Sequence, residues 1–266
     1  MASPSSPRPR ARLATAGLVT ARASAFVLFG ACSLLLSATV FAPLLLAPLP
    51  RRQVHRCSRQ VLSLGLRMLL RYIVLVHLTA PHIVRGREHL RRGGQLLAST
   101  HPSLIDVVFL IALAPQANCI VKRQLWRNPF TAIPVRALGY LRNDDPDLLE
   151  RCAAALRAGE SLIIFPEGTR TRAGQPLKLQ RGAANIALAA GCDLTPVIIH
   201  CEPRVGQKAQ KWYELPPRLP QFTIEGFPAL DRSALIDPAQ PRSVQARRLT
   251  RALLHFFDAR YPTGAT

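Results

Sequence analysis

Acidic residues are scarce in this sequence, and the first part of the chain has almost none. Of the first hundred residues, 14 are Arg or Lys and only Glu88 is acidic, and the 266-residue chain has a formal net charge of +20. Such an excess suits an anionic membrane surface, where each basic residue contributes roughly 1 kcal/mol. It suits nucleic-acid phosphates equally well. Charge alone excludes neither partner.

Paired cysteines and clustered tryptophans are also lacking. The six cysteines are scattered singly, without the C-x-x-C spacing of a zinc site or the density of a disulfide framework. We therefore expect reduced, buried thiols, no metal site and a folded domain that faces the cytosol. Trp126 and Trp212 are isolated, which argues against a stacking platform for single-stranded nucleic acid. We expect membrane lipids as partners and no nucleic acid.

Charge is absent from one long stretch near the N-terminus. Residues 23–42 are twenty positions without a charge or a proline, long enough to cross a bilayer core. A cleaved signal peptide is the alternative, although its apolar part is usually only about 7–15 residues. Four arginines precede the stretch and six follow it closely, so the flanking charge indicates topology only weakly. A segment that dips into one leaflet fits as well as a span.

A second apolar stretch, residues 61–78, carries Arg67 and Arg71 on one side of a helix. This pattern is typical of an interfacial helix. We predict three parts: a basic disordered tail at 1–22, a membrane-associated helical segment at 23–80 and a catalytic domain at 81–266. The expected location is the cytoplasmic membrane, with the catalytic face in the cytosol.

The rest of the chain alternates short apolar runs with amphipathic segments. This alternation predicts an α/β fold, a single domain with a mixed, largely buried sheet flanked by helices. The predicted strands are 96–99, 119–122, 161–165, 196–200 and 222–225. The predicted helices are 103–114, 147–158, 182–190 and 243–259.

The stretch STHPSLID places His101 at the end of a predicted strand and Asp106 five residues later. Ser103 and Asp106 have the spacing of a helix-capping pair, which is a purely structural explanation. Helix capping does not explain why a histidine occupies position 101. A carboxylate that orients a neutral imidazole is what a general base requires, so both interpretations remain open on these residues alone.

A second motif, FPEGTR, follows another predicted strand directly at residues 165–170. Open α/β sheets commonly bind ligands at the carboxyl ends of their strands. An ordinary surface turn is the alternative. No G-x-S-x-G sequence occurs in the chain, so an acyl-enzyme formed on an activated serine has no local support.

Together, in this order and about sixty residues apart, the two motifs resemble those of the glycerophospholipid acyltransferase family. The resemblance covers roughly residues 86–200, and Thr100 stands where the family commonly has Asn. It implies that His101 and Asp106 are the catalytic pair. It also implies substrate-binding roles for Glu167, Gly168, Thr169, Arg170, Gly139 and Arg142.

The resemblance further implies transfer of a fatty acyl chain to the free hydroxyl of lysophosphatidic acid, giving phosphatidic acid. The donor is acyl-CoA or acyl carrier protein, acting as cosubstrate, and no cofactor is expected. Another lipid acceptor, such as an ornithine-lipid precursor, is one alternative. A noncatalytic protein that binds anionic membrane or nucleic acid is the alternative from a different class.

Overall fold

Seven strands form one sheet in the order β1-β7-β6-β2-β5-β3-β4. The computed structural model describes residues 9–168, 175–205, 214, 216 and 218–261, with the backbone alone for 9–16. The strands are β1 (Ile83–Arg85), β2 (Leu96–Ser99), β3 (Ala117–Val121), β4 (Leu141–Arg142), β5 (Ser161–Ile164), β6 (Leu194–Glu202) and β7 (Gln221–Gly226).

The five strands from β2 to β6 run in the same direction. β2 pairs in parallel with both β5 and β6, and β3 pairs in parallel with β5 and β4. β7 is antiparallel to β6, and β1 is parallel to β7. The carboxyl ends of β2 to β6 therefore meet at one edge of the sheet.

Helices cover both faces of this sheet. Along β2, Leu97 belongs to the core beneath α3 and α5, whereas Leu96 and Ala98 belong to the core beneath α8, α9 and α11. This alternation follows from the two-residue period of a strand that is buried on both faces.

The helices are α1 (Pro9–Leu36), α2 (Ala42–Leu46), α3 (Arg51–Leu75), α4 (Arg87–Leu90), α5 (Asp106–Leu113), α6 (Arg123–Arg127), α7 (Ala132–Ala137), α8 (Leu148–Arg157), α9 (Gly182–Ala190), α10 (Arg232–Leu235) and α11 (Arg242–Asp258).

The predicted fold class, a mixed sheet flanked by helices with an apolar N-terminal segment, is confirmed. β2 and α9 have the predicted bounds, and the other predicted strands and helices are present with ends shifted by up to three residues. β1 and β4 were not predicted, because three and two residues are too few to show an alternating pattern.

The N-terminal helix begins earlier than predicted. We expected a disordered tail through residue 22, but α1 starts at Pro9. Pro is favoured in the first helical turn, and the following sequence is rich in Ala, Leu and Arg, which are good helix formers. From Gly17 to Leu46 the helical segment is long and apolar enough to cross a membrane, and it is mostly exposed.

A π-helical turn at Ser37–Phe41 joins α1 to α2. Pro43 follows directly, and a proline ring clashes with the carbonyl four residues earlier in a regular α-helix. The N–H of Ala42 instead reaches the carbonyl of Ser37, five residues back. The wider turn allows the helix to continue past the proline.

Helix α3 is attached to the catalytic region by a buried arginine. The Arg59 guanidinium donates to the carbonyl oxygens of Leu138 at 2.8 Å and Gln116 at 3.1 Å. It also donates to the Glu160 carboxylate at 2.9 Å. Gln116 and Glu160 immediately precede β3 and β5, so Arg59 ties α3 to the amino-terminal edge of the sheet.

We predict that Arg59→Ala will destabilise the fold, because it leaves the Glu160 carboxylate without its cation. Breaking a buried pair costs about 3–5 kcal/mol. Because Glu160 remains 28% exposed, we expect a loss of free energy of unfolding at the lower end of this range. Such a loss lowers the Tm by roughly 6–12 °C. Thermal unfolding in detergent measures this, with exposed Arg56→Ala on the same helix as control. Equal shifts for the two variants would contradict the prediction.

Candidate active site

His101 and Asp106 form a hydrogen-bonded pair at the carboxyl edge of the sheet. His101 lies two residues beyond the end of β2, and Asp106 is the first residue of α5. The chain turns between them and brings His101 Nδ1 to 2.8 Å from Asp106 Oδ2. The carboxylate is completely buried, whereas the imidazole is 20% exposed. The carboxylate therefore fixes the orientation of the imidazole through Nδ1, and part of the ring remains accessible to solvent.

The Asp106 carboxylate also accepts hydrogen bonds from Ser103. The Ser103 N–H donates to Oδ2 at 2.6 Å, and the Ser103 hydroxyl donates to Oδ1. Helix α5 starts at Asp106 rather than at Ser103, so this pair closes the turn before the helix. Burial raises the pKa of Asp106, and the hydrogen bonds from His101 and Ser103 oppose that rise.

Thr100 and Phe165 hold His101 in place. The Thr100 Oγ1 accepts from the N–H of Ile199 at 2.9 Å, and the Thr100 N–H donates to the carbonyl of Val197 at 3.1 Å. Both bonds join the end of β2 to β6. Phe165, just beyond β5, stacks on the imidazole with ring centroids 4.2 Å apart. Neither residue was predicted to belong to the site, although each lies within one of the two motifs.

Glu167 reaches the backbone of His101. Its Oε1 accepts the His101 N–H at 2.7 Å, and the side chain is largely buried. The FPEGTR motif thus contacts the STHPSLID motif directly, because β5 and β2 are neighbours. The hydrogen bond ties Glu167 to the backbone of His101, and the substrate-binding role that the resemblance implied for Glu167 stays a prediction.

Gly168 ends a tight turn after β5. Its N–H donates to the Phe165 carbonyl at 3.0 Å, and its φ of +71° lies in the region that favours glycine. Thr169 and Arg170, predicted to bind the acceptor phosphate, lie outside the described residues. The structure therefore explains why glycine occupies position 168 and leaves the two roles that follow it as predictions.

Gly139 lies against helix α3. It has a φ of +66°, and a Cβ added there would be 2.4 Å from His55 Nδ1. The residue lies in the turn between α7 and β4. This close approach accounts for the glycine without any contact to a substrate.

Arg142 lies at the far end of the carboxyl edge. β4 is three strands from β2, so roughly 14 Å separate them at the usual strand spacing. Its guanidinium forms a two-pronged interaction with Asp144 at 3.0 and 2.9 Å. Asp144 raises the pKa of Arg142, and both groups are at the surface. The structure does not bring Arg142 together with His101.

Other polar groups flank the pair at the same edge. Lys122 follows β3 and is exposed. At the end of β6, His200 stacks on Tyr261 with centroids 5.0 Å apart, and Arg204 lies over the same ring at 5.8 Å. Burial raises the pKa of Tyr261 to about 12. Tyr261 follows α11, so its proximity to the site could not be inferred from either motif.

None of the described residues forms a group of three or more His, Cys, Asp or Glu side chains suited to hold a metal ion. The six cysteines are free, with Cys119, Cys152 and Cys201 buried as expected, but Cys32 is exposed on α1.

The fold and these residues define an α/β protein with a histidine–carboxylate pair at the carboxyl edge of a parallel sheet. Residues 82–200 match the family model described as Acyltransferase. Over this part of its length the chain is similar to acyltransferases, and the curated relatives it matches carry the name 1-acyl-sn-glycerol-3-phosphate acyltransferase.

Two curated relatives illustrate the match. The 1-acyl-sn-glycerol-3-phosphate acyltransferase of Helicobacter pylori is 32% identical over 115 residues, covering 40% of this chain and 48% of that protein. The enzyme of the same name from Bacillus subtilis is 31% identical over 130 residues, covering 46% of this chain and 64% of that protein. The chain thus spans about half the length of the curated relatives that it matches.

A solved structure shares the fold. It is the 1-acyl-sn-glycerophosphate acyltransferase PlsC of Thermotoga maritima, with a TM-score of 0.64 and 18% identity. The likeness covers 94% of this chain and 98% of that one. It therefore includes the N-terminal helices as well as the sheet.

We predict that Gly139→Ala will destabilise the protein through its backbone and not through substrate binding. The left-handed backbone costs roughly 1–2 kcal/mol for a residue with a Cβ, and the clash with His55 adds about 1–3 kcal/mol. The measurement is thermal unfolding in detergent. Adding His55→Ala to the Gly139→Ala variant removes the clash and should restore part of the lost stability.

Acyl-transfer kinetics well below the Tm distinguish the two roles of Gly139. A structural role leaves the KM for lysophosphatidic acid unchanged in Gly139→Ala. A clear increase in that KM would show that Gly139 contacts the acceptor.

Proposed function

We propose that this protein is an O-acyltransferase that acylates the free hydroxyl of lysophosphatidic acid to give phosphatidic acid. The observation that carries the proposal is the 2.8 Å hydrogen bond between His101 Nδ1 and the buried Asp106 carboxylate. The family and the printed activities of the curated relatives support it. The donor is acyl-CoA or acyl carrier protein, and no cofactor takes part.

His101 acts as the general base. Asp106 accepts the Nδ1–H and so holds the neutral imidazole with Nε2 unprotonated. The described residues give Nε2 no hydrogen-bond partner, and the ring is partly exposed. Nε2 is therefore available to take the proton of the acceptor hydroxyl.

The acyl group moves in one addition and one elimination. As His101 removes its proton, the acceptor oxygen bonds to the thioester carbonyl carbon, and the carbonyl electrons move onto oxygen. The tetrahedral intermediate collapses, the carbon–sulfur bond breaks, and the thiol leaves with the proton from His101. An ester and a free thiol result, and no covalent enzyme intermediate is needed.

Cations at the carboxyl edge supply binding for phosphate. Arg170 follows Glu167 by three residues, and a guanidinium suits two-pronged phosphate binding. We propose that Thr169 and Arg170 bind the acceptor phosphate next to Gly168, while Glu167 positions the backbone of His101. Lys122, Arg123 and Arg142 lie on the same edge and can attract either anionic substrate.

We propose that the N-terminal helices hold this edge at a membrane. The helical segment from Gly17 to Leu46 is apolar and mostly exposed, which supports membrane association. We propose that it inserts into the cytoplasmic membrane with the sheet in the cytosol. The acceptor then reaches His101 from the lipid phase and the donor reaches it from water.

We predict that His101→Ala will lower kcat by about 100- to 10,000-fold, because a well-placed general base contributes that much. The measurement is acyl transfer from labelled acyl-CoA and acyl carrier protein to lysophosphatidic acid by full-length protein in detergent. His255→Ala, an exposed histidine on α11, is the matched control and should retain full activity. Near-normal turnover by His101→Ala would overturn the mechanism.

We predict that Asp106→Asn will lower kcat by a comparable factor while the protein stays folded. An amide has nearly the shape of the carboxylate, but it lacks the charge that stabilises the imidazolium and fixes the tautomer. Steady-state kinetics with a thermal melt on the same sample measure both effects. Full activity in the folded variant would show that Asp106 does not orient His101.

Activity of the wild type with other acceptors decides between the remaining functions. Transfer to another lipid, with lysophosphatidic acid inert, would keep the mechanism and change the substrate. Inactivity across a broad lipid panel with both donors, together with salt-sensitive binding of nucleic acid or anionic vesicles, would favour the noncatalytic alternative.

A further inference from the structure

A cationic cavity lies between α3, α4 and α5, away from the His101 pair. Its volume is about 240 Å³. Four arginines from two helices converge on it, together with His82, which precedes β1. Apolar side chains form its floor. The lining as a whole consists of Arg67, Leu70, Arg71, His82, Arg87, Arg91, Phe109, Ala112 and Leu113.

The positive charge of this cavity is not neutralised by the protein. Within the described part of the chain, none of the four arginines forms an ion pair with a carboxylate. Glu88, beside Arg87, instead contacts His89 at 3.5 Å. Arg67 is held by its Nε–H, which donates to the Ala112 carbonyl at 2.9 Å. All four arginines are exposed and hydrated, and their convergence on one cavity gives an anion several charge-assisted donors in exchange for that water.

The floor of the cavity is apolar. Phe109 packs its ring against the edge of His82, with centroids 5.3 Å apart. Leu70 and Leu113 complete this surface. Burial lowers the pKa of His82, and Arg87 acts in the same direction, so the histidine stays neutral beside the arginines. A cationic rim above an apolar floor suits an amphipathic ligand better than a fully hydrated ion.

The surface next to the cavity is apolar and exposed. Leu64 and Met68 lie one turn apart on α3 and are 59% and 61% exposed, and Leu75 near the end of that helix is 74% exposed. Arg67 and Arg71 lie on the same helix, also one turn apart. Exposed apolar residues beside arginines are characteristic of a helix at a membrane interface, where long basic side chains reach the headgroups.

We propose that this cavity binds the phosphate of an anionic glycerophospholipid of the membrane. The arginines hold the phosphate oxygens by charge-assisted hydrogen bonds, which guanidiniums form in pairs. The acyl chains follow the exposed apolar side of α3 into the bilayer. The cavity is below the roughly 300–1,000 Å³ of sites that enclose a drug-sized ligand, so it encloses the headgroup and leaves the chains outside.

This lipid site is separate from the acceptor site. Arg91 precedes β2, whereas His101 follows the opposite end of that strand, and a four-residue strand is roughly 13 Å long. On α5 the lining starts at Phe109, one turn beyond Asp106. A lipid bound here anchors the sheet domain against the membrane and takes no part in the reaction. The inference therefore stands whether or not the proposed acyl transfer is correct.

Native mass spectrometry of the full-length protein in a neutral detergent tests the proposal. Dioleoyl phosphatidylglycerol and dioleoyl phosphatidylcholine are the two probes. We expect preferential binding of phosphatidylglycerol, and at least roughly a tenfold loss of that affinity in Arg87→Gln/Arg91→Gln. Arg247→Gln/Arg248→Gln removes the same charge from exposed positions on α11 and should bind like the wild type. A thermal melt checks that each variant is folded, and Arg71→Gln replaces the first pair if it is not.

Several results would overturn the proposal. Equal losses in both double variants would show that overall charge, and not the cavity, attracts the lipid. Equal binding of the two lipids, or no loss in the cavity variant, would contradict a phosphate site for anionic lipid. Displacement of phosphatidylglycerol by inorganic phosphate or by acyl-CoA at similar concentrations would assign the cavity to a soluble anion.

Kinetics separate this inference from the proposed reaction. In detergent micelles, Arg87→Gln/Arg91→Gln should keep the wild-type KM and kcat for lysophosphatidic acid. An increased KM would identify the cavity as the acceptor site and overturn the assignment to a membrane lipid. An inactive wild type that still binds phosphatidylglycerol through these arginines would refute the reaction and leave the lipid site intact.

Discussion

The parallel pairing of β2 with β5 is the constraint on which the site depends. Their register, with Leu96 opposite Leu162 and Ala98 opposite Ile164, makes both strands end at the same edge. The two motifs, about sixty residues apart in the chain, therefore meet in one physical contact, the hydrogen bond from the His101 N–H to Glu167. A slip of one residue would turn every side chain of β2 to the other face of the sheet.

Burying the Asp106 carboxylate is costly, and the local structure offsets that cost. The carboxylate has no exposed surface, yet Ser103 donates to it twice and His101 once. These three hydrogen bonds replace the water that an exposed carboxylate would bind. The hydrogen bond from His101 also fixes the orientation of the imidazole, which is what the proposed general-base role of His101 requires.

The N-terminal helices are part of the same structure and do not form a separate anchor. Arg59 ties α3 to the amino-terminal edge of the sheet, and the Ser24 hydroxyl lies 2.8 Å from the Tyr72 hydroxyl, joining α1 to α3. Phe41, in the π-helical turn, is buried. Because α3 is tied both to the sheet and to α1, the position of the sheet is coupled to the position of the N-terminal helices.

The sequence by itself determined the fold class, the apolar segment and the two motifs, because strand and helix periodicities and turn residues are local properties of a chain. It also identified His101, Asp106 and Glu167 as members of one site. Tertiary structure decided the rest: that Glu167 holds a backbone N–H, that Gly139 accommodates His55 and that Arg142 is bound by Asp144, far from His101. It also brought Arg67 and Arg71 of α3 together with Arg87 of α4 and Arg91, which follows α4, around one cavity. Such contacts join residues that are distant in the chain, and they depend on strand order and helix packing, which no local pattern encodes.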